Sequence, residues 1–166
     1  NLALHHRKQL KIPIIAITGS NGKTTTKELI REVLSQKFLV HSTHGNMNNH
    51  IGVPITLLQI SKNHEVAIIE MGANHQKEIE KLCSIAQPNW GYITNFGKAH
   101  LEGFGSEESV IIGKSELYEY LGKNNGKILV NKDDLIQVEK TKKYTRSFFG
   151  SKSECDIKIE YLESKN

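Results

Sequence analysis

Cysteine is scarce in this 166-residue sequence. Cys83 and Cys155 are the only two, far apart and without Cys-x-x-Cys spacing. That argues against a disulfide framework or a zinc site and suits a reducing compartment such as the cytoplasm. Long apolar runs are missing too. No stretch approaches the ~18 residues of a membrane-spanning helix, and no leader segment is visible at the start. The chain begins with Asn1 rather than Met, so the missing leader carries little weight. Blocks of one charge are also lacking. Lys and Arg number 22 against 18 Asp and Glu, interspersed, for a net charge of +4. A mildly basic surface favours an anionic ligand such as a nucleotide. Without a clustered basic or aromatic surface it does not favour nucleic acid. Internal repeats and low-complexity segments are absent. What remains is an ordinary globular composition, 37% hydrophobic and 24% charged. At this length it can build one domain with a real core.

The apolar residues fall into short runs separated by helical patterns. Residues 12–17, Ile-Pro-Ile-Ile-Ala-Ile, form a continuous run that suits a strand buried on both faces, with Pro13 tolerated near its start. A helix fits 23–36, with Leu29, Ile30, Val33 and Leu34 as its apolar stripe and Lys27, Glu28, Arg31 and Glu32 toward water. Val66–Ile69 reads as a second core strand, followed by a helical stretch near 76–86. Tyr92–Thr94 belongs to another strand, and a strong helix runs from about 107 to 122. Ser106 can cap it, with Glu107 and Glu108 at its positive end. Ile128–Val130 is a further short strand. Strands alternating with helices predict an α/β fold with a mainly parallel sheet flanked by helices. Residues 1–10 read as the tail of a helix, and residues 11–166 as the domain itself. Residues 156–161 alternate polar and apolar, as a half-exposed edge strand does.

The strongest motif is Gly19-Ser20-Asn21-Gly22-Lys23-Thr24-Thr25, between a predicted strand and a predicted helix. Glycines let backbone N–H groups approach a phosphate, and the helix N-terminus adds partial positive charge. In that setting Lys23 reaches terminal phosphates and the Thr24 hydroxyl holds Mg²⁺. The usual phosphate loop has four residues between its glycines; here only Ser20 and Asn21 intervene. Glu70 ends the second core strand, where parallel sheets bind ligands. It either caps the next loop or joins Thr24 on one Mg²⁺. Lys114 stands on a helical face with Val110, Leu117 and Leu121. A lysine there either snorkels to water or stays buried with a depressed pKa. A neutral amine of that kind can react with CO₂ to form a carbamate. Asn46, Asn48 and Asn49 cluster in a loop and serve either turns or a polar ligand.

The shortened loop resembles that of the Mur ligase superfamily, which includes folylpolyglutamate synthetases. Gly45-Asn46-Met47-Asn48-Asn49-His50-Ile51-Gly52-Val53-Pro54, Glu70-Met71-Gly72-Ala73-Asn74 and Thr94-Asn95-Phe96-Gly97-Lys98-Ala99-His100-Leu101-Glu102 resemble the same family. The resemblance covers about residues 10–120. It implies a phosphate-loop central ATP-binding domain, cut short toward Asn166, with residues 1–10 ending a linker from a separate N-terminal domain and a further C-terminal domain elsewhere. It implies ATP bound at residues 19–25, with Asn95 and Lys98 as weaker candidates near the phosphates, and Mg²⁺ held by Thr24 and Glu70. It makes His100, rather than His44 or His75, the ligand to a second Mg²⁺, and Lys114 a carbamylated lysine able to bridge toward Mg²⁺ or position a phosphate. Asn46, Asn48 and Asn49 then face a UDP-linked substrate. The implied reaction is ATP-dependent amide formation in peptidoglycan precursor synthesis, between a UDP-N-acetylmuramoyl tripeptide and D-alanyl-D-alanine, through an acyl phosphate. Lys23, Lys114 and His100 are its implied catalytic residues. A ligase for another muramoyl peptide or for a folate, and a nucleotide-binding module inactive by itself, are the alternatives.

Overall fold

The computed structural model describes residues 2–97, 101–151 and 154–160. Helix α1 (Leu2–Gln9) leads into strand β1 (Ile14–Thr18), followed by α2 (Lys23–Ser35), β2 (Val40–Ser42), α3 (Gly52–Leu58) and β3 (Val66–Glu70). Then come α4 (Glu78–Ala86), β4 (Trp90–Ile93), α5 (Leu101–Phe104) and α6 (Glu107–Lys123). The chain continues through β5 (Lys127–Asn131), α7 (Leu135–Lys140), β6 (Arg146–Gly150) and β7 (Ile157–Lys158). The seven strands form one sheet in the order β2-β3-β1-β4-β5-β6-β7, and every neighbouring pair is parallel.

Parallel strands need helical crossovers, and those crossovers cover the sheet faces. The central strands are apolar for that reason: all five residues of β3 are buried. On one face Ile14, Ala16, Ile69 and Ile93 join Leu57, Ile79, Val110, Leu117 and Leu121 in a single core cluster. Ile17 and Ile68, which alternate to the other face, are also fully buried, where α2 packs across β1, β2 and β3. Arg7 fastens α1 to this body by donating to the Ala86 and Gln87 carbonyls and to Asn89 Oδ1. Asn89 Oδ1 also accepts from Ile14 N at the start of β1.

The chain leaves β1 toward β2 on one side and later returns to place β4 on β1's other side. The carboxyl end of β1 is therefore a switch point, where a crevice opens in open α/β sheets. Residues 19–22 leave β1 there.

The expected helix over 107–122 is α6, and Ser106 caps it by accepting from Ser109 N. The expected stripe on α2 is corrected. Leu29 is 63% and Val33 71% exposed, Ile30 and Leu34 are half-buried, and Lys27 is fully buried. The buried line runs through positions 23, 27, 30 and 34, also a helical spacing. Lys27 can take the inward place because its ammonium finds acceptors there, donating to the Thr43 carbonyl and lying 2.9 Å from Glu28 Oε1. At the other end, the expected strand over 156–161 is the two-residue β7 at the sheet edge, with its residues exposed; residue 161 lies outside the described residues. No helix among the described residues is long and apolar enough to cross a membrane.

Candidate functional site

Residues 19–22 are shaped by contacts with the segment after β4. Gly19 has φ of 145°, and a Cβ there would lie 1.9 Å from Thr94 Oγ1, so only glycine fits. Thr94 Oγ1 donates to the Asn21 carbonyl at 2.6 Å. Asn95 brackets the same residue: its Oδ1 accepts from Asn21 N at 3.1 Å and its Nδ2 donates to Asn21 O at 3.0 Å. Ser20 N donates to the Asn95 carbonyl at 3.1 Å, and Ser20 Oγ to the Gly97 carbonyl at 2.7 Å. Asn95 thus holds the loop's backbone, and Thr94 and Gly97, quoted above within a motif but without a role of their own, share that task. Their signal was local: a Thr-Asn pair leaving a strand.

No side chain caps α2. Its positive end borders a cleft of about 300 Å³ lined by residues 20–25, Asn46, Asn48 and Glu70. Uncapped N–H groups and the helix dipole favour an anion at such a place. Lys23 Nζ lies over the loop, donating to the Gly19 and Ser20 carbonyls at 2.9 and 3.1 Å. Burial pulls its pKa down from the usual lysine range, and the Glu70 carboxylate opposes that.

Glu70 and Thr24 meet. Thr24 Oγ1 donates to Glu70 Oε2 at 2.9 Å, and Asn48 Nδ2 donates to Glu70 Oε1 at 2.8 Å. Glu70 is itself buried. Hydroxyl and carboxylate oxygens held this close suit a hard cation. The Asn cluster divides by role. Asn48 serves Glu70, and its carbonyl accepts from Gly72 N at 2.8 Å. Asn49 Oδ1 accepts from Ile51 N and Gly52 N, starting α3. Asn46 is exposed and borders the cleft.

A larger cavity of about 620 Å³ continues from Lys23 past Asn46, Asn48 and Asn49 to His50, Glu78 and Lys81. No site role was assigned to the last three, because isolated polar residues of this kind carry no pattern. His75 Nδ1 sits 3.7 Å from Glu78 Oε1, and His44 is exposed. Lys98 and His100 lie outside the described residues. Among the described residues no three His, Cys, Asp or Glu side chains cluster as a metal site.

Lys114 does not snorkel. It is 1% exposed, along with Val110, Leu117 and Leu121 on the same face of α6. Its Nζ lies 5.6 Å from the Phe104 ring centroid. Burial, seconded by the nearby Lys23 charge, brings its pKa down to about 8. The amine is therefore within reach of neutrality at physiological pH.

Comparison with known proteins agrees with this geometry. The Mur ligase middle domain matches residues 17–166. The UDP-N-acetylmuramoyl-tripeptide--D-alanyl-D-alanine ligase of Bacillus subtilis is 40% identical over 136 residues, 82% of this chain and 30% of that protein. The enzyme of the same name from Escherichia coli is 43% identical over 133 residues, 80% of this chain and 29% of that protein. A crystal structure of MurF from Acinetobacter baumannii aligns with a TM-score of 0.85 at 36% identity, over 98% of this chain and 36% of that one. MurF ligase from Thermotoga maritima in complex with ADP aligns at 0.83 and 35% identity, over 92% and 36%. The chain thus spans about a third of the length of these relatives. Since the match runs from the end of β1 through the phosphate loop and every later described element, this chain belongs to the Mur ligase family through its middle domain.

Proposed function

We propose that this chain is the ATP-handling part of a cytoplasmic ligase that joins D-alanyl-D-alanine to a UDP-N-acetylmuramoyl tripeptide. The observation that carries it is the convergence of Thr24 and Glu70 beside the uncapped start of α2. The substrates in the relatives' names and the ADP bound to the Thermotoga maritima ligase point the same way.

A carboxylate is a poor electrophile toward an amine. Transfer of the γ-phosphoryl group to the tripeptide's terminal carboxylate makes an acyl phosphate and releases ADP. The D-alanyl-D-alanine amine attacks its carbonyl carbon; loss of a proton and of phosphate leaves the new amide. The chain's work in this scheme is positioning and charge neutralisation. The backbone of residues 19–25 cradles the phosphates, and Lys23 turns from the loop carbonyls toward the moving phosphoryl group. Thr24 and Glu70 would hold Mg²⁺, which would supply charge neutralisation beside the phosphates. The 620 Å³ cavity is large enough for part of the nucleotide-linked substrate, with Asn46 as the free amide on its wall.

Lys114 enters as a carbamate. Its neutral amine adds to CO₂ and loses one proton, so a cation becomes an anion facing Lys23. His100 belongs to the same reading as a ligand to a second Mg²⁺. The two flanking domains of the full enzyme bring the uridine nucleotide and the amine substrate, so the isolated chain binds nucleotide without ligating. In the full-length enzyme Lys23→Ala nearly abolishes ligation with folding intact; wild-type turnover by that variant would refute the assignment. A substrate panel that includes other muramoyl peptides and folates tests the specificity.

A further inference from the structure

Lys27 is the only buried residue of α2. Its Nζ donates to the Thr43 carbonyl and lies 2.9 Å from Glu28 Oε1, on a side chain 42% exposed. Taking an ammonium out of water is costly. A methionine of similar length would fill the space without that cost. Packing therefore does not account for a lysine here. What the lysine adds is a charged donor aimed at one backbone carbonyl.

That carbonyl leads to the site. Thr43 is fully buried. Its N–H donates to Ile68 O at 3.0 Å, extending β2 past its last strand residue. Its Oγ1 accepts from Glu70 N at 2.9 Å. Glu70 then accepts from Thr24, three residues before Lys27 on α2. The bonds close a ring: Lys27 to Thr43, Glu70 to Thr43, Thr24 to Glu70, and along the helix back to Lys27. Thr43 also opens the segment that carries Asn46 and Asn48 to the cleft.

We infer that Lys27 is a positioning residue for the Thr24–Glu70 pair. Through the Thr43 carbonyl it ties the first turns of α2 to the exit of β2, and so sets the spacing at which those two side chains hold a divalent cation. Lys27 itself touches no ligand. The inference rests on the Mg²⁺ and nucleotide reading above.

The test uses the full-length enzyme with Lys27→Met, which deletes the donor, and Lys27→Gln, which keeps an N–H on a shorter arm. ADP binding is measured by calorimetry across a Mg²⁺ series, on folded protein recovered from gel filtration, so that lost material does not count. Exchange of the Glu70 amide is followed in parallel. The expected result is a Mg²⁺ half-saturation raised about tenfold in the Met variant, the size of one lost charged hydrogen bond. The Gln variant falls between it and wild type, Mg²⁺-free ADP binding stays near wild type, and the Glu70 amide exchanges faster. Lowered melting temperatures with wild-type Mg²⁺ dependence in both variants would overturn the inference. Glu70→Gln separates the two layers. If Glu70→Gln keeps wild-type Mg²⁺ dependence, the metal reading itself fails. If it loses that dependence while both Lys27 variants keep it, only the role of Lys27 fails.

Discussion

Thr24 Oγ1 and Glu70 Oε2 are joined across 2.9 Å, tying the first turn of α2 to the last residue of β3. These positions lie 46 residues apart in the chain. With Asn48 donating to the other carboxylate oxygen, the contact draws on α2, β3 and the segment between β2 and α3, so it reports directly on the assembled crevice. Thr24→Val removes the hydroxyl and leaves the buried carboxylate one donor short. Mg²⁺-dependent ADP affinity is expected to fall roughly tenfold to a hundredfold, the cost of a hydrogen bond to a charged group. Thr24→Ser keeps the oxygen and most of the affinity. Calorimetry on the full-length enzyme decides, and a Val variant that binds like wild type removes Thr24 from the site.

Gly19→Ala is expected to be severe. The new Cβ meets Thr94 Oγ1, and the backbone must hold φ of 145°. Strain of this kind costs on the order of 1–3 kcal/mol before the clash is counted. Thr94→Ala in the same chain relieves the contact but not the dihedral, so it rescues stability only partly. Thermal melts of both variants measure this; full rescue would show that the clash alone demands glycine.

Lys114 makes stability depend on pH in one direction. Burial lowers its folded-state pKa to about 8 from the ordinary 10.5. Between those values the unfolded chain carries a proton that the folded chain does not, so stability rises with pH across that window. Lys114→Met removes the rise and is more stable near pH 7 by up to roughly 3 kcal/mol. Denaturant melts from pH 7 to 10.5 in CO₂-free buffer test it, with the wild-type minus Met difference as the readout. A flat difference contradicts the buried-amine reading.

The two cysteines are expected to differ in reactivity. Burial pushes the Cys83 thiol far up, and nearby Glu116 and Glu80 add to that. Cys155 is only half-buried. Since the thiolate is the nucleophile, iodoacetamide on the native protein should label Cys155 alone, and Cys83 only after unfolding. Mass spectrometry of the native digest reads the result; early Cys83 labelling would mean that α4 opens readily.

The parts of this fold that the sequence made legible are those with strong local signals. The run before Thr18, the glycine pair of the loop, Ser106 ahead of α6 and the lysine among Val110, Leu117 and Leu121 each announce themselves within a few residues. The elements that escaped notice lack such signals. β2 has one aliphatic residue in three, Val40-His41-Ser42, and is defined by its partner β3. α3 opens Gly52-Val53-Pro54, which reads as a break, although proline is tolerated in a helix's first turn where no N–H partner is needed. Lys27 shows the deeper limit. The periodicity argument that singles out Lys114 applies equally to Lys27, but on α2 four apolar residues offered a competing stripe. Which stripe faces inward depends on a partner outside the helix: the Thr43 carbonyl, 16 residues along the chain, receives the Lys27 ammonium.

The bracket of Asn95 around Asn21 has a consequence for the timing of ligand capture. Ordering a free backbone costs about 1–2 kcal/mol per residue, and a floppy loop over residues 19–22 would lose that sum from its affinity each time a nucleotide arrived. Here hydrogen bonds from Thr94, Asn95 and Ser20 have already discharged the cost during folding. The loop behaves as a rigid mould. Nucleotide association should therefore be limited by diffusion into the crevice, with no slow rearrangement of residues 19–22, and loosening Asn95 should slow arrival as well as weaken the complex.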